Sequence, residues 1–268
     1  MTGSGNGKAL REIDPQKCRN CSLSRLCLPV GLKPDDVEAL ERIIQRERPL
    51  ERNEVLFDSG APFEAIYAVR TGAMKSKTLS EDGQEQITGF HLPGEILGLD
   101  GIHGGHHPST AVALETTSVC QMPFETLDDL AERIPALFRQ LLRLMSQELH
   151  SESEMLQALA RRSAEERLAM LLLGLRARFV RRGLSATNIR LPMSRQDLGN
   201  YLGLTPETLS RLFRRFSERG IIEADGREVR LKDVPTLREL SGNPTPEGVR
   251  PRWRTLQRQP NAAGAGVQ

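Results

Sequence analysis

The sequence predicts an α+β chain: a β-rich first half, then a long helix, then a helix-turn-helix. Three observations predict it. Gly60, Gly72, Gly83 and Gly94 recur at roughly eleven-residue spacing between short runs such as AIYAV and QITGFHL, the texture of an antiparallel sandwich or roll. After Pro135, the residues Phe138, Leu142, Met145, Leu149, Leu156 and Leu159 repeat in steps of three and four, which is the seam of a dimerising helix. Near the C-terminus, Gly203 separates two short helical patterns, and Thr205-Pro206 opens the second with a capping hydroxyl and a proline whose missing N–H costs nothing there.

Taken in order, residues 1–17 are polar and glycine-rich with no apolar run, so neither a signal peptide nor early order is expected. A loop holding three cysteines follows. Asp35 to Arg46 forms a short amphipathic helix with Val37, Leu40, Ile43 and Ile44 on one face. Strands occupy the chain from about Leu50 to Met122, and helix takes over after Pro135. On that helix Glu152 falls where an apolar knob belongs. In a parallel homodimer it would approach its own copy, and like charges at a partly desolvated seam repel. Either the helix bends and Glu152 turns to solvent, or the dimer is marginal and another input decides it.

Residues 163–182 form a second helix with Leu168, Leu171, Leu172 and Leu175 inward and its arginines outward, ended by Gly183. After the helix-turn-helix, IIEADGREVRL reads as two strands around Asp225-Gly226, a winged hairpin. Beyond Arg230 the chain offers short polar, proline-bearing segments, and its Pro, Gly, Gln and Ala content from Gly242 onward predicts a disordered tail that holds Trp253. The expected divisions are 1–30 for the cysteine loop, 31–134 for the β domain, 135–162 for the dimer helix, 163–240 for the winged helix-turn-helix and 241–268 for the tail.

A length of 268 residues accommodates two compact domains. No apolar stretch is long enough to span a bilayer, so a cytoplasmic protein without membrane contact is expected. A formal net charge of +2 means that any nucleic-acid contact must come from a local basic patch.

The chemistry concentrates in two places. The chain has four cysteines, Cys18, Cys21 and Cys27 in a C-x2-C-x5-C run and Cys120 far away. In the cytoplasm thiols stay reduced, which disfavours disulfides. Four thiolates are the usual ligand set of an iron–sulfur cluster. Zinc is the competing reading, although its structural sites usually pair two half-sites and here the fourth ligand is lone. Incidental cysteines are the third. His106 and His107 could also be ligands, but a polar surface loop without a third ligand is the plainer expectation.

The second place is SRQDLGNYLGLTPETLSRLFRRFS, residues 194–217. Ser194 caps a helix with Leu198 and Leu202 inward. On the next helix Leu209, Leu212, Phe213 and Phe216 share one face, while Glu207, Ser210, Arg211 and Arg214 share the other. Arg can bond guanine bidentately and Glu can accept from cytosine N4, so that face suits a major groove. An ordinary helical hairpin with a solvated face would carry the same residues. Arg214, Arg215 and Arg219 suit phosphates, which position rather than specify. No phosphate-cradling glycine loop, nucleotide fingerprint or nucleophile elbow is present, so an enzyme is not expected.

Over roughly residues 15–240 the chain resembles the fumarate and nitrate reduction regulator family, within the cyclic AMP receptor protein superfamily. The resemblance rests on the cysteine run with its remote partner, on HHPSTAVALETTSVCQMPFETLDDL, on RLMSQEL with AEERLA, and on LGLTPETLSRLFRRF. It implies a cyclic-nucleotide-binding-like β-roll sensor domain, a long dimerisation helix and a C-terminal winged helix-turn-helix. It further implies a [4Fe–4S] cluster on Cys18, Cys21, Cys27 and Cys120 that promotes a homodimer and DNA binding without oxygen, and a monomer in air.

By the same resemblance, Glu207, Ser210 and Arg211 read a TTGAT-type half-site in an inverted repeat. Leu149 and Glu152 lie at the dimer switch, and Ser22 and Leu26 beside ligands govern oxygen access. RNA polymerase would meet the turn at Glu81, Asp82 and Gly83 and the loop Thr116–Ser118. Leu99 and Pro108 stand where a cyclic-nucleotide binder needs its Glu and Arg, so cyclic AMP is not the expected ligand. A zinc-stabilised or effector-binding regulator of the same superfamily is the alternative.

Overall fold

The computed structural model describes residues 18–80 and 82–242. The segment 1–17, the tail from 243 with Trp253, and Glu81 lie outside the described residues. After a 3₁₀ turn at Cys18–Asn20 comes α1 (Pro34–Ile43), shorter at its end than Asp35 to Arg46, because Gln45 leaves the helix to pair with Gln121. Seven strands follow: β1 (Val55–Phe57), β2 (Ala65–Thr71), β3 (Met74–Leu79), β4 (Glu85–His91), β5 (Ile96–Leu97), β6 (Thr110–Ala113) and β7 (Ser118–Pro123). They form two antiparallel sheets, ordered β1-β6-β3-β4 and β5-β2-β7. Phe57, Val69, Met74, Leu97, Ala111 and Ala113 pack between the sheets, which closes the roll.

The outer face of the second sheet is covered in turn. Ile66, Ala68 and Met122 pack against Leu28 of the cysteine loop, Leu40 of α1, and Leu127 and Ala131 of a helix α2 (Phe124–Arg133). This helix was not expected, since helical texture was placed after Pro135. The signal was present: Phe124, Leu127, Leu130 and Ala131 repeat at helical spacing.

The long helix α3 (Pro135–Arg161) runs into α4 (Ala164–Arg181), which opens with a capping box between Ser163 and Glu166. Beyond it lie β8 (Asn188–Arg190), α5 (Arg195–Leu202), α6 (Pro206–Glu218), β9 (Ile222–Asp225), β10 (Glu228–Leu231) and α7 (Val234–Leu240), with β8-β10-β9 forming the wing sheet. In the short proline-bearing stretch after Arg230, the residues from Val234 to Leu240 form helix α7, with a proline in its first turn. Asp233 caps it by accepting from the Thr236 N–H at 3.0 Å.

The arginines of α4 are not all outward. Arg167 donates to the Leu202 carbonyl and Arg176 to that of Ala186. Arg178 and Arg182 both reach the carboxylate of Glu95 on the β-roll. The helix-turn-helix half is therefore seated on the β-roll. Ile87, Phe90 and Leu92 share one apolar cluster with Leu168, Leu172 and Leu198. Lys75 also donates to Asp197 at 2.7 Å, and the Ile87 N–H to Asn200 Oδ1 at 2.6 Å.

Candidate functional site

The cysteine loop is tightly wound because its own backbone bonds run through the cysteines. The Cys21 N–H donates to the Cys18 carbonyl, that of Ser24 to Cys21, and that of Cys27 to Leu23. Arg19 ties the loop to α1 through Glu38 at 3.0 Å. Cys120 arrives from β7, where strand alternation puts it on the same sheet face as Met122, the face that Leu28 covers. A two-way backbone pair between Gln45 and Gln121 fixes the strand beside it.

Cys18 is buried and the other three are half-buried, and all four are free thiols. Burial pushes the Cys18 thiol up to about 11, and the neighbouring Cys120 and Cys21 add to the rise. Burial likewise pushes Cys27 up to about 12, with Cys120, Cys18 and Cys21 contributing. Cys18 and Cys27 both feel Cys120, so the fold has brought the remote cysteine to the loop. At these values both are neutral thiols, so a metal group would have to displace their protons to bind, and the all-sulfur donor set fits an iron–sulfur group. Among the described residues, no three His, Cys, Asp or Glu side chains are arranged to hold a single metal ion. Ser22 is exposed, while Leu26 packs against the turn at Gly94.

The histidine pair corrects a second expectation. His106 is exposed, but His107 is 2% exposed, stacked on Phe57 with ring centroids 3.8 Å apart and edge-on to Phe63. Burial lowers its pKa, so it is a neutral ring in the wall of the roll rather than part of a surface loop. Nearby, Leu99 packs into the apolar cluster under α2, Pro108 is exposed, and Ser109 donates to Asp100 at 2.6 Å. In the loop Thr116–Ser118, Thr117 is fully buried, with its hydroxyl accepting from the Ala73 N–H. Only Thr116 there is exposed; Asp82 and Gly83 are exposed too.

The helix-turn-helix forms as its sequence requires. Ser194 and Asp197 make a capping box on α5, Gly203 ends α5 in the left-handed conformation, and Thr205 caps α6 by accepting from the Thr208 N–H. Leu209, Leu212, Phe213 and Phe216 are buried, each side chain contributing about 1.5–3 kcal/mol. Glu207, Ser210 and Arg211 are exposed and, among the described residues, have no partner within the chain.

Arg214, Arg215 and Arg219 are exposed as well but paired, with Glu218 for the first and Glu165 for the other two. Exposed pairs of this kind are worth about 0–1 kcal/mol, so phosphates can replace the carboxylates. Sequence reasoning missed Arg195. Its guanidinium lies 3.4 Å from the Phe213 ring centroid and donates to the Gly226 carbonyl, bolting the wing turn to α6. On α3, Phe138, Leu142, Leu149 and Leu156 are exposed, Leu149 by 66% and Leu156 by 68%, and Glu152 lies between those two. No described helix is long and apolar enough to cross a membrane.

Comparison with known proteins agrees with this architecture. The cyclic nucleotide-binding domain family matches residues 47–134, and the Crp-like helix-turn-helix domain family matches residues 166–240. The transcriptional activator protein FnrA of Stutzerimonas stutzeri is 50% identical over 225 residues, 84% of this chain and 92% of that protein. The transcriptional activator protein Anr of Pseudomonas aeruginosa is 48% identical over 87% of this chain and 96% of its own length. The fumarate and nitrate reduction regulatory protein of Escherichia coli K12 is 46% identical over 84% and 90%. Among solved structures, FixK2 of Bradyrhizobium japonicum superposes with a TM-score of 0.68 at 34% identity, over 74% of this chain and 97% of its own. A chain with these relatives and this helix-turn-helix is a DNA-binding transcription regulator and not an enzyme. It belongs to the FNR/Anr family of Crp-like transcriptional regulators.

Proposed function

We propose that this regulator responds to oxygen in the cytoplasm, with Cys18, Cys21, Cys27 and Cys120 as the ligands of a [4Fe–4S] cluster. Bound there, the cluster would supply an oxygen-labile joint between the N-terminal loop and the β-roll. The observation that carries this reading is the return of Cys120, on β7, to the apolar cluster that Leu28 and Cys27 of the loop also join. Ser22 and Leu26, beside ligands, govern access to that corner.

The chain's own residues do the rest. The exposed apolar stripe of α3 pairs with a second copy, with Leu149 and Glu152 as the switch positions where packing and like-charge repulsion compete. A dimer doubles the DNA contact and spans two half-sites about one helical turn apart. Glu207, Ser210 and Arg211 read base edges of a TTGAT-type inverted repeat, and Arg214, Arg215 and Arg219 hold phosphates. In air the chain is a monomer with little specific affinity. The exposed turn at Asp82 and Gly83, together with Thr116, offers contacts for RNA polymerase. Leu99 and Pro108 leave the roll without the carboxylate and cation that a cyclic nucleotide needs, so cyclic AMP is not its signal.

The test is the iron, sulfide and zinc content of anaerobically purified protein, with DNA binding measured before and after air. About four irons and four sulfides per chain, lost in air together with specific binding, is the expected result. Zinc in their place, or air-stable specific binding, would overturn it.

A further inference from the structure

The turn between β4 and β5 has two sides that face different parts of the molecule. On one side is Gly94, at φ +88. A Cβ at Gly94 would stand 2.9 Å from the Leu26 Cβ and 3.7 Å from the Leu23 Cβ, both in the loop between Cys21 and Cys27. The turn and the cysteine loop are thus in backbone-close contact.

On the other side, the Glu95 carboxylate accepts from Arg178 Nε at 2.9 Å and from Arg182 Nη2 at 2.7 Å, and Arg178 Nη2 makes a second bond to it. The same guanidiniums reach back to the turn's own backbone, Arg178 to the Phe90 carbonyl and Arg182 to that of Pro93. A planar guanidinium shared between a carboxylate and a carbonyl fixes direction as well as distance.

The turn is itself stiff. The Gly94 N–H donates to the Val69 carbonyl at 2.7 Å, the Val69 N–H to the Glu95 carbonyl, and the Leu92 N–H to the Glu95 side chain. Gly94 and Glu95 are therefore held in one fixed relation to β2. Beside it lies an open cavity of about 610 Å³ lined by Leu26, Glu95, Glu148, Arg178 and Tyr201, so the turn, the cysteine loop, α3 and α4 meet around one space.

We propose that the β4–β5 turn links the cysteine loop directly to the DNA-reading unit within one chain. The seating of Leu23 and Leu26 on Gly94 sets the grip of Glu95 on Arg178 and Arg182, and that grip orients α4 and the helix-turn-helix it carries. This route runs alongside the dimer helix and does not pass through it. It rests on the reading of the four cysteines as cluster ligands. Glu95 touches neither those ligands nor DNA, so it is a positioning residue.

Amide hydrogen exchange on the full chain, iron-loaded without oxygen and then exposed to air, tests the link. In the unsubstituted protein, iron loading is expected to increase protection of α4 and β4. Glu95→Gln should take up the same iron and sediment as the parent does, yet lose the iron dependence of protection in α4 and bind specific DNA about tenfold more weakly. Glu95→Asp should recover part of both, and Arg178→Gln, which breaks the same contact from the other side, should behave like Glu95→Gln. Iron-dependent protection of α4 that survives in both Gln variants would overturn the link. So would an unsubstituted protein that loads iron with no change in α4. A protein that takes up no iron would instead remove the cluster reading, and the link with it.

Discussion

The two ends of this molecule are finished to different degrees. The α6 helix is complete in a single chain, with its cap formed, its apolar face buried, and Glu207, Ser210 and Arg211 already exposed on one side. The cysteine corner is instead gathered from parts distant in sequence, the N-terminal loop and β7. Burial and the neighbouring thiols push Cys18 up to about 11 and Cys27 up to about 12, so both are neutral there, and ligation of a metal would be coupled to loss of their protons. A reader that is preorganised cannot be the point of control, because nothing in it is left to change. Under the proposed reading, control belongs at the corner, where distant parts of the fold meet and metal binding is coupled to proton loss.

This contrast breaks first at Cys120. Cys120→Ala removes the one cysteine that reaches the loop from the sheet, and if it is the fourth ligand as proposed, the expected outcome is complete loss of iron retention and of anaerobic specific DNA binding. The thermal unfolding of the helix-turn-helix should change little. A stable, fully occupied cluster in this variant would remove Cys120 from the ligand set. The mirror-image change is Phe216→Ala, a fully buried ring in the shared apolar cluster. It should cost about 3–5 kcal/mol of stability in denaturant titration, while iron uptake by any chain that remains folded is unchanged. Equal damage to both functions would mean that the two ends are not separable.

Legibility in the sequence follows the same division. The reader was legible because everything that builds it is local: Ser194 and Asp197 are three residues apart, Thr205 and Thr208 likewise, and Gly203 lies between. The β-roll was legible from its turn glycines, and α3 from its seam. What escaped was non-local. His107 reads as a loop residue until Phe57 and Phe63, distant in sequence, close around it. Arg178 and Arg182 read as a solvated face because their partner Glu95 lies 83 and 87 residues away. Helix α2 was lost for a different reason, since its periodic residues follow a strand without a turn signal between. The cysteine corner is intermediate: spacing named the four residues, but only the register of β7 against β2 shows why the fourth can reach the other three.

A smaller effect sharpens the reader's half of the comparison. Arg211 is exposed and, among the described residues, unpaired, whereas Arg215 shares Glu165 with Arg219. Arg211→Ala should therefore lose about 1–3 kcal/mol on the specific duplex and little on random DNA. Arg215→Ala should weaken both alike and flatten the salt dependence. Competition binding at two salt concentrations separates them, and equal weakening by Arg211→Ala on both duplexes would assign it to phosphate.

The smallest expected effect lies between the two ends, on α3. Glu152 is exposed on the same helix as Leu149 and Leu156, whose large apolar side chains are left to solvent in a single chain. Pairing through that stripe buries apolar area and also brings two carboxylates toward each other, so the gain and the cost arise from adjacent turns of one helix. At the dielectric of a partly exposed seam, the repulsion between two such charges several ångströms apart is on the order of 1 kcal/mol after screening. Removing it should shift the dimer equilibrium severalfold rather than create a new one. Glu152→Ala is expected to raise the dimer fraction in air by that amount in sedimentation, with the gain shrinking at high salt. A dimer fraction that does not move would show that the helix directs Glu152 away from its copy, leaving the seam's weakness to its apolar packing alone.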